Sequence, residues 1–224
     1  ALDLSAYVTE REGYDFTGWY LDAALTQPIT SLTLEADTTV YAGWRIRNPF
    51  VDVAEKDYFY DAVLWGVENG VVKGMDETHF EPETVCTRAQ ALTFLWRANG
   101  MPQPKTTTNP FVDVDASAYY YDAVLWGVEN GIVKGVNETT FAPNDPITRE
   151  QIAVILYRYA HEENTEDGKL TSFPDAKDIS SYALEAMNWA VARGLINGSD
   201  GKLLPQDTAT RAQIAVILAR YLNA

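Results

Sequence analysis

The chain has 224 residues and a formal net charge of −15, from 17 basic and 32 acidic side chains. Sequence-independent binding to nucleic acids or to anionic membranes requires a cationic surface, so this charge argues against both partners. Hydrophobic residues make up 46% and charged residues 22%, which is the composition of a folded chain with one or two domains. No apolar run approaches the roughly 18 residues of a membrane span. The single cysteine, Cys86, excludes an intrachain disulfide.

Residues 1–45 are predicted to form a small β-rich module. Two aromatic segments, 13–20 and 38–44, have high β propensity and are separated by a region with a proline-containing turn. Apolar and polar residues alternate at 32–34. Either the sequence starts part-way through the module or residues 1–12 form a degenerate opening strand. In both cases we expect an incomplete sheet with an unpaired edge.

The remainder of the chain consists of three copies of one pattern. A segment that begins at Tyr60 recurs letter for letter from Tyr121, and a more diverged third copy follows. A unit of about 60 residues buries too little apolar surface to be stable alone, so the copies are expected to share one core in a compact domain, 48–224. The copies are assigned to residues 48–104, 109–163 and 171–224.

Each copy is predicted to fold as helix–loop–helix. The first helix ends at a glycine suited to the C′ position, and the second starts at a Thr-Arg pair. In the second copy, apolar residues from Ile152 to Tyr159 recur at i, i+3, i+4 and i+7. The predicted fold is therefore mainly α, a pseudo-threefold domain of three repeats preceded by the β-rich module. The predicted first helices are 58–69, 119–130 and 181–193, followed by Gly70, Gly131 and Gly194.

The Thr-Arg pairs are the most informative feature for function. Each fits a capping box, with threonine at the N-cap and glutamine at N3. An arginine at N1 lies beside the positive end of the helix dipole, so three such arginines predict a compensating partner. Backbone N–H groups, dipole and guanidinium together can bind a carboxylate or phosphate. Either each arginine only bridges to an aspartate of the same or a neighbouring copy, or that bridge also orients the arginine for such a ligand. The arginines are Arg88, Arg149 and Arg211, and the candidate aspartates are Asp52, Asp113 and Asp175.

Aromatic residues and glycines recur at matching positions. A tyrosine starts each first helix, and a tryptophan seven residues later lies on nearly the same face. These rings either pack in the core or form a platform for the apolar face of a pyranose. A glycine in each connecting turn either satisfies turn geometry or lets the backbone approach a ligand. The residues are Tyr58, Tyr119, Tyr182, Trp65, Trp126, Trp189, Gly74, Gly135 and Gly198.

The combined order of these motifs resembles the S-layer homology domain, whose usual unit is three tandem copies. Phe-x-Asp-Val, the aromatic helix, the glycine turn and Thr-Arg-Ala-Gln carry the resemblance over about four-fifths of the chain. Residues 1–45 contain Gly-Tyr-x-Phe-x-Gly-Trp-Tyr and resemble the second half of the Listeria–Bacteroides repeat, a β-grasp-like module of bacterial surface proteins.

The resemblance implies an extracellular protein held noncovalently on the bacterial cell wall. In this family, grooves between repeats hold secondary cell-wall polysaccharide, often capped by a ketal-linked pyruvate. The resemblance carries the ligand-binding role to the arginines, aspartates, tyrosines and turn glycines named above. This sequence departs from the family in having tyrosine for tryptophan at the helix start, glutamine for glutamate at N3, and an added carboxylate, Glu150. On this hypothesis, we expect Arg211→Ala to weaken glycan binding with little loss of helicity.

Two other functions compete with anchoring. A glycan-processing enzyme needs two carboxylates roughly 5–10 Å apart, and no repeated pair supplies them. No catalytic triad, phosphate loop or metal-ligand spacing is apparent, so no catalytic residue, metal or cofactor is predicted. The remaining alternative is a lattice or filament protein without a dominant glycan-binding role, which self-associates through surfaces such as the N-terminal module.

Overall fold

The computed structural model describes residues 1–33, 36–162 and 167–223. Contacts divide the chain into two compact units, Ala1–Pro49 and Phe50–Ala224. Within the described ranges, no helix has the length and apolar character needed to cross a membrane. Leu34, part of the predicted alternation, lies outside the described residues, as do residues 163–166 between α4 and the third copy.

The first unit is built from five short strands. β2 (Tyr14–Tyr20) pairs antiparallel with both β3 (Pro28–Ile29) and β5 (Tyr41–Ile46), and β1 (Leu2–Asp3) pairs with β4 (Ser31–Leu32). β2 and β5 coincide with the two aromatic segments, so the predicted β-rich module is confirmed. Among the described strands, β5 pairs only with β2, and its other edge is open.

Aromatic side chains pack on this sheet. The ring of Phe16 lies 5.5 Å from that of Trp19 and 5.6 Å from that of Trp44, centroid to centroid. The indole N–H of Trp19 donates a hydrogen bond to the carbonyl of Tyr7 at 2.6 Å. These contacts tie the segment before β2 to the two longest strands, where a short sheet has few other means of burying apolar surface.

Six α-helices make up the regular structure of the second unit in its described residues. In the first two copies, the first helix starts at Tyr60 and Tyr121, two residues later than predicted. In the third copy, a 3-10 turn at Ser181–Ala183 precedes the helix. Gly70 ends its helix with φ +69°, a left-handed conformation that favours glycine. The helices are α1 (Tyr60–Glu68), α2 (Arg88–Ala98), α3 (Tyr121–Glu129), α4 (Arg149–Ala160), α5 (Leu184–Ala192) and α6 (Arg211–Leu222).

The second helices begin at the predicted Thr-Arg pairs. Oγ1 of Thr87 accepts a hydrogen bond from the backbone N–H of Gln90 at 3.2 Å, and Oε1 of Gln90 accepts one from the N–H of Thr87 at 3.0 Å. The same reciprocal bonds cap α4 and α6. The predicted capping boxes are therefore present in all three copies, each a contribution of about 1 kcal/mol.

Three backbone hydrogen bonds join the segments before the second helices into a closed cycle. The N–H of Cys86 donates to the carbonyl of Ala209, that of Ala209 to Ile147, and that of Ile147 back to Cys86, each at 2.9 Å. All three side chains are buried, so Cys86 occupies a packed apolar position. Every copy is both donor and acceptor, so the cycle requires all three.

Helix packing follows the same order around the unit. Each second helix packs against the first helix of another copy, α2 on α3, α4 on α5 and α6 on α1. A single buried cluster draws residues from all three copies, including Phe80, Phe141 and Leu203. The apolar face of each second helix thus packs against a helix of another copy. This is expected because a single copy is too small to bury that face alone.

The thiol of Cys86 provides a direct probe of this core. Burial raises its pKa from about 9 to about 12. Because the thiolate is the reactive form, we expect Cys86 in the folded protein to resist alkylation at pH 8 and to react only on unfolding. The raised pKa also means that this group stabilises the fold fully below pH 9 and loses that contribution as the pH rises toward 12. Iodoacetamide labelling followed by mass spectrometry checks this, and rapid labelling without denaturant would contradict it.

Candidate functional site

The three predicted arginines join neighbouring copies through backbone carbonyls. Arg88 donates from Nε to the carbonyl of Phe141 at 3.0 Å and from Nη2 to that of Lys134 at 3.3 Å. Its guanidinium carbon lies 4.9 Å from the centroid of the Phe141 ring. Burial lowers the pKa of all three guanidinium groups from the usual value. The corresponding bonds are Arg149 to Leu203 at 2.8 Å, and Arg211 to Phe80 at 2.9 Å and to Lys73 at 2.8 Å.

The predicted aspartates hold the same loops from within their own copies. The carboxylate of Asp113 accepts hydrogen bonds from the N–H groups of Phe141 at 2.8 Å and Ala142 at 2.7 Å. Arg88 and Asp113 thus bind opposite ends of one residue's backbone, and the hypothesis of a direct arginine–aspartate bridge is wrong in the described chain. The equivalent acceptors are Asp52, for Phe80 and Glu81, and Asp175, for Leu203 and Leu204.

The first-turn N–H groups of the second helices also have partners in another copy. The N–H of Arg88 donates to the carbonyl of Asp145 at 2.9 Å, and that of Ala89 donates to Pro143 at 3.0 Å. The same pattern occurs at the start of α4 and α6. The expectation that these N–H groups help to bind an anion is therefore wrong, and the guanidinium groups have to supply the positive charge.

A groove of about 420 Å³, groove 1, contains residues from all three copies. Arg88 comes from the first copy, Gly135 and helix α4 from the second, and Tyr182 from the third. Its cationic lining residues are Arg88, Lys134 and Arg158, and none of its lining residues is a carboxylate. On a chain with a net charge of −15, this groove concentrates positive charge within one Debye length, about 8 Å at physiological salt.

A second groove of about 420 Å³, groove 2, has the corresponding residues at the loop and second helix of the third copy, and again contains residues from all three copies. Arg149 and Arg220 supply its cations, with Tyr58 and Gly198 beside them. Asn197 replaces the lysine of groove 1, and Glu83 adds a carboxylate. Groove 2 is therefore the less cationic of the two.

The corresponding place at the loop of the first copy contains the third set of predicted residues. Nη2 of Arg211 reaches the loop that contains Lys73 and Gly74. Burial raises the pKa of Tyr119, and the positive charges of Arg97 and Arg211 partly oppose this rise. Tyr119 therefore lies near both arginines. At each of the three places, the structure thus brings together an arginine, a tyrosine and a turn glycine, each from a different copy. The aspartates bind the N–H groups of the loops instead.

A second set of arginines was missed in the sequence. Arg97, Arg158 and Arg220 each lie nine residues after the Thr-Arg arginine of their own copy, and Arg158 and Arg220 line grooves 1 and 2. Burial lowers the pKa of Arg97 and Arg158. The signal was available, because an identical offset in three copies is the same evidence that identified the first set.

Tyr182 is held in place by Glu150, which replaces the alanine of the other copies. The buried carboxylate of Glu150 accepts hydrogen bonds from the hydroxyl of Tyr182 at 3.0 Å and from Ser180, at Oγ (2.7 Å) and N–H (3.0 Å). Burial and the charge of Glu150 raise the pKa of Tyr182, so the phenol remains a neutral donor. Although Glu150 follows Arg149 in the sequence, its carboxylate does not line groove 2. It instead fixes the position of Tyr182 in groove 1.

The turn glycines and helix tryptophans have structural roles that the sequence left open. A Cβ on Gly135 would lie 2.3 Å from the carbonyl of Asn137 and 2.6 Å from the ring of Phe111, so turn packing alone requires glycine there. Trp126 and Trp189 are buried, with 7% and 2% of their surface exposed. The two therefore belong to the core.

Comparison with known proteins identifies two kinds of segment. The S-layer homology domain family matches residues 49–92, 110–153 and 172–215. The Listeria–Bacteroides repeat domain matches residues 3–43. The four matches follow the order expected from the sequence motifs.

Several relatives are much longer proteins. The surface-layer 125 kDa protein of Lysinibacillus sphaericus is 38% identical over 170 residues, 74% of this chain and 14% of that protein. The S-layer protein sap of Bacillus anthracis is 30% identical over 173 residues, 76% of this chain and 21% of that protein. The amylopullulanase of Thermoanaerobacterium thermosulfurigenes is 29% identical over 187 residues, 82% of this chain and 10% of that protein. The chain thus corresponds to a minor part of each.

Proposed function

Because the three matches cover more than half of its length, the chain belongs to the S-layer homology domain family, and we propose that it anchors a larger protein to the cell wall by binding anionic glycan in its grooves. Family membership and the S-layer relatives indicate an extracellular protein of the bacterial cell surface. The ligand proposed is secondary cell-wall polysaccharide with a ketal-linked pyruvate. The observation that carries the proposal is groove 1, with its three cations and no lining carboxylate.

A pseudo-threefold arrangement of the repeats is part of this proposal. Its support is the cyclic order of contacts, in which backbone bonds, arginine–carbonyl bonds and helix pairs each pass from copy to copy and close. Such an arrangement gives one groove at the loop and second helix of each copy. Differences in charge then decide which groove binds the ligand most strongly.

The side chains of groove 1 suit a pyruvylated sugar. The bonds from Arg88 to Phe141 and Lys134 occupy two of its five N–H donors, so the guanidinium can still donate to a carboxylate. Arg158 adds a second guanidinium. Tyr182 supplies an aromatic surface for the apolar face of a pyranose, and its position is fixed by Glu150.

The variety of the relatives favours an anchor over an enzyme or a lattice. Segments similar to this chain occur in proteins named as surface-layer proteins and in one named as an amylopullulanase, so a role common to both is attachment rather than catalysis or assembly. The chain is accordingly proposed as the non-catalytic module of a longer protein. Among the described residues, no cluster of His, Cys, Asp and Glu is placed to hold a metal ion.

The direct test is calorimetric titration of this chain with pyruvylated cell-wall polymer and with the same polymer after mild acid has removed the pyruvate. Binding to the first polymer alone is the expected result. Equal affinity for both polymers would contradict a site that recognises the pyruvate carboxylate. Binding to neither polymer would reject the proposed ligand.

Arg158→Ala tests whether groove 1 is the main site. We expect the affinity for pyruvylated polymer to fall at least about tenfold, since a charge-assisted hydrogen bond contributes about 1.5–3 kcal/mol. Arg193→Ala is the matched control, because it makes the same charge change at an exposed residue paired with Glu162, outside both grooves. Equal affinities of the two variants would place the ligand elsewhere.

Self-association through the N-terminal unit is the second candidate role. The open edge of β5 supports it, because an unpaired strand can pair with another chain. Light scattering across a concentration series, without glycan, tests it. A monomer at every concentration would rule this role out.

A further inference from the structure

The three copies differ at one position on the second helix where the first helix of another copy packs. Trp96 occupies it in α2, Tyr157 in α4 and Ala219 in α6. The ring of Tyr157 lies 5.6 Å from that of Trp189, and its hydroxyl donates to Glu185 at 2.7 Å. Large side chains therefore occupy this position in two copies, and a methyl group occupies it in the third.

A cavity of about 450 Å³ lies beside Ala219, between α1 and α6. Trp65 lines it, and this ring is partly exposed, whereas the equivalent Trp126 and Trp189 are buried. Tyr58 and Arg220 line both this cavity and groove 2. The cavity therefore continues groove 2 on the far side of Arg220.

The lining of the cavity matches the chemistry of a neutral sugar. An aromatic ring packs on the C–H face of a pyranose, and Trp65 supplies such a ring next to the small apolar Ala219. Asp61 and Asn223 add a carboxylate and an amide that can hydrogen-bond to hydroxyl groups. The carboxylate disfavours a second anionic residue, and the volume lies within the range of small-ligand pockets.

We propose that this cavity is a second subsite of groove 2, which binds on Trp65 the neutral pyranose next to the anionic residue of the polymer. The inference rests on the proposed glycan-binding function. Groove 2 is less cationic than groove 1, because it contains Glu83 and lacks the lysine. Apolar contact with Trp65 in the second subsite would compensate for this weaker positive charge and allow groove 2 to bind the same polymer.

Ala219→Tyr fills the cavity with the residue that α4 has at this position. The test compares two probes, the pyruvylated terminal sugar alone and an oligosaccharide that contains it and the adjoining sugars. Titrations are made in the Arg158→Ala background so that groove 1 contributes less. We expect the chain that carries only Arg158→Ala to bind the oligosaccharide at least about tenfold more tightly than the terminal sugar. Ala219→Tyr should remove this difference while the affinity for the terminal sugar is unchanged.

Two further variants distinguish loss of the subsite from misfolding of the Ala219→Tyr protein. Trp65→Leu removes the ring without filling the cavity and should also abolish the preference, whereas Ala219→Ser keeps the cavity open and should retain it. A preference that survives both Ala219→Tyr and Trp65→Leu would overturn the subsite while the anchor function stands. Failure of the wild-type chain to bind either probe would instead reject the proposed function, and the subsite with it.

Discussion

Arg211→Ala is expected to destabilise the second unit by about 3 kcal/mol, equivalent to a fall in Tm of roughly 6–12 °C. Only 2% of the Arg211 surface is exposed, and its guanidinium carbon lies 4.7 Å from the centroid of the Phe80 ring. The substitution leaves the carbonyls of Phe80 and Lys73 without their charged donor and opens a space beside the ring. The sequence alone predicted weaker glycan binding with little loss of helicity; because Arg211 is buried, we now expect a loss of stability as well.

Chemical denaturation followed by circular dichroism measures this loss. Arg193→Ala serves as the control, with an expected change of at most about 1 kcal/mol for an exposed ion pair. Arg211→Lys keeps the charge but lacks the planar fork that reaches two carbonyls, so a smaller loss than for alanine is expected. If Arg211→Ala unfolds at the same denaturant concentration as the wild type, the arginine–carbonyl bonds do not stabilise the unit.

Removal of residues 171–224 is expected to abolish cooperative folding of the remaining two copies. The truncated chain lacks Ala209, the acceptor for Cys86, and Leu203, the acceptor for Arg149. It also lacks α5 and α6, so the apolar faces of α4 and α1 are left in water. The truncation also removes part of the buried cluster that the three copies share.

Differential scanning calorimetry distinguishes the possibilities. The truncated chain should show no sharp transition, whereas removal of residues 1–47, which belong to the separate first unit, should leave the main transition unchanged. A sharp transition in the chain without its third copy would mean that two copies are sufficient to fold.

Local features of the fold were predictable because they depend on residue types close in sequence. The capping boxes start at Thr87, Thr148 and Thr210 as predicted, since threonine at the N-cap and glutamine at N3 each bond to the other's backbone, three residues away. Helix ends at Gly70 and its equivalents followed from the same short-range rule. The starts of the first helices were predicted less accurately, because the N-cap residues Phe59 and Tyr120 make no side-chain capping hydrogen bond that the sequence could reveal.

The partners of the arginines could not be predicted from residue types. Every residue has a backbone carbonyl, so the sequence does not mark Phe141 or Leu203 as the acceptor for Arg88 or Arg149. Aspartate is the obvious acidic partner, and it proved to bind the N–H groups of the same loop. Arg158 and its equivalents, in contrast, were predictable from their constant offset and were overlooked.

The bonds that close the cycle have a consequence for the order of folding. The donor and acceptor in the bond between Arg211 and Phe80 are 131 residues apart in the chain. Contacts of such separation cannot form until the last helix is available, and non-local contacts slow folding. While the chain is being synthesised and exported, its first two copies therefore lack their final partners. We therefore expect a cell-surface chain of this kind to remain loose and sensitive to proteolysis until its third copy has emerged.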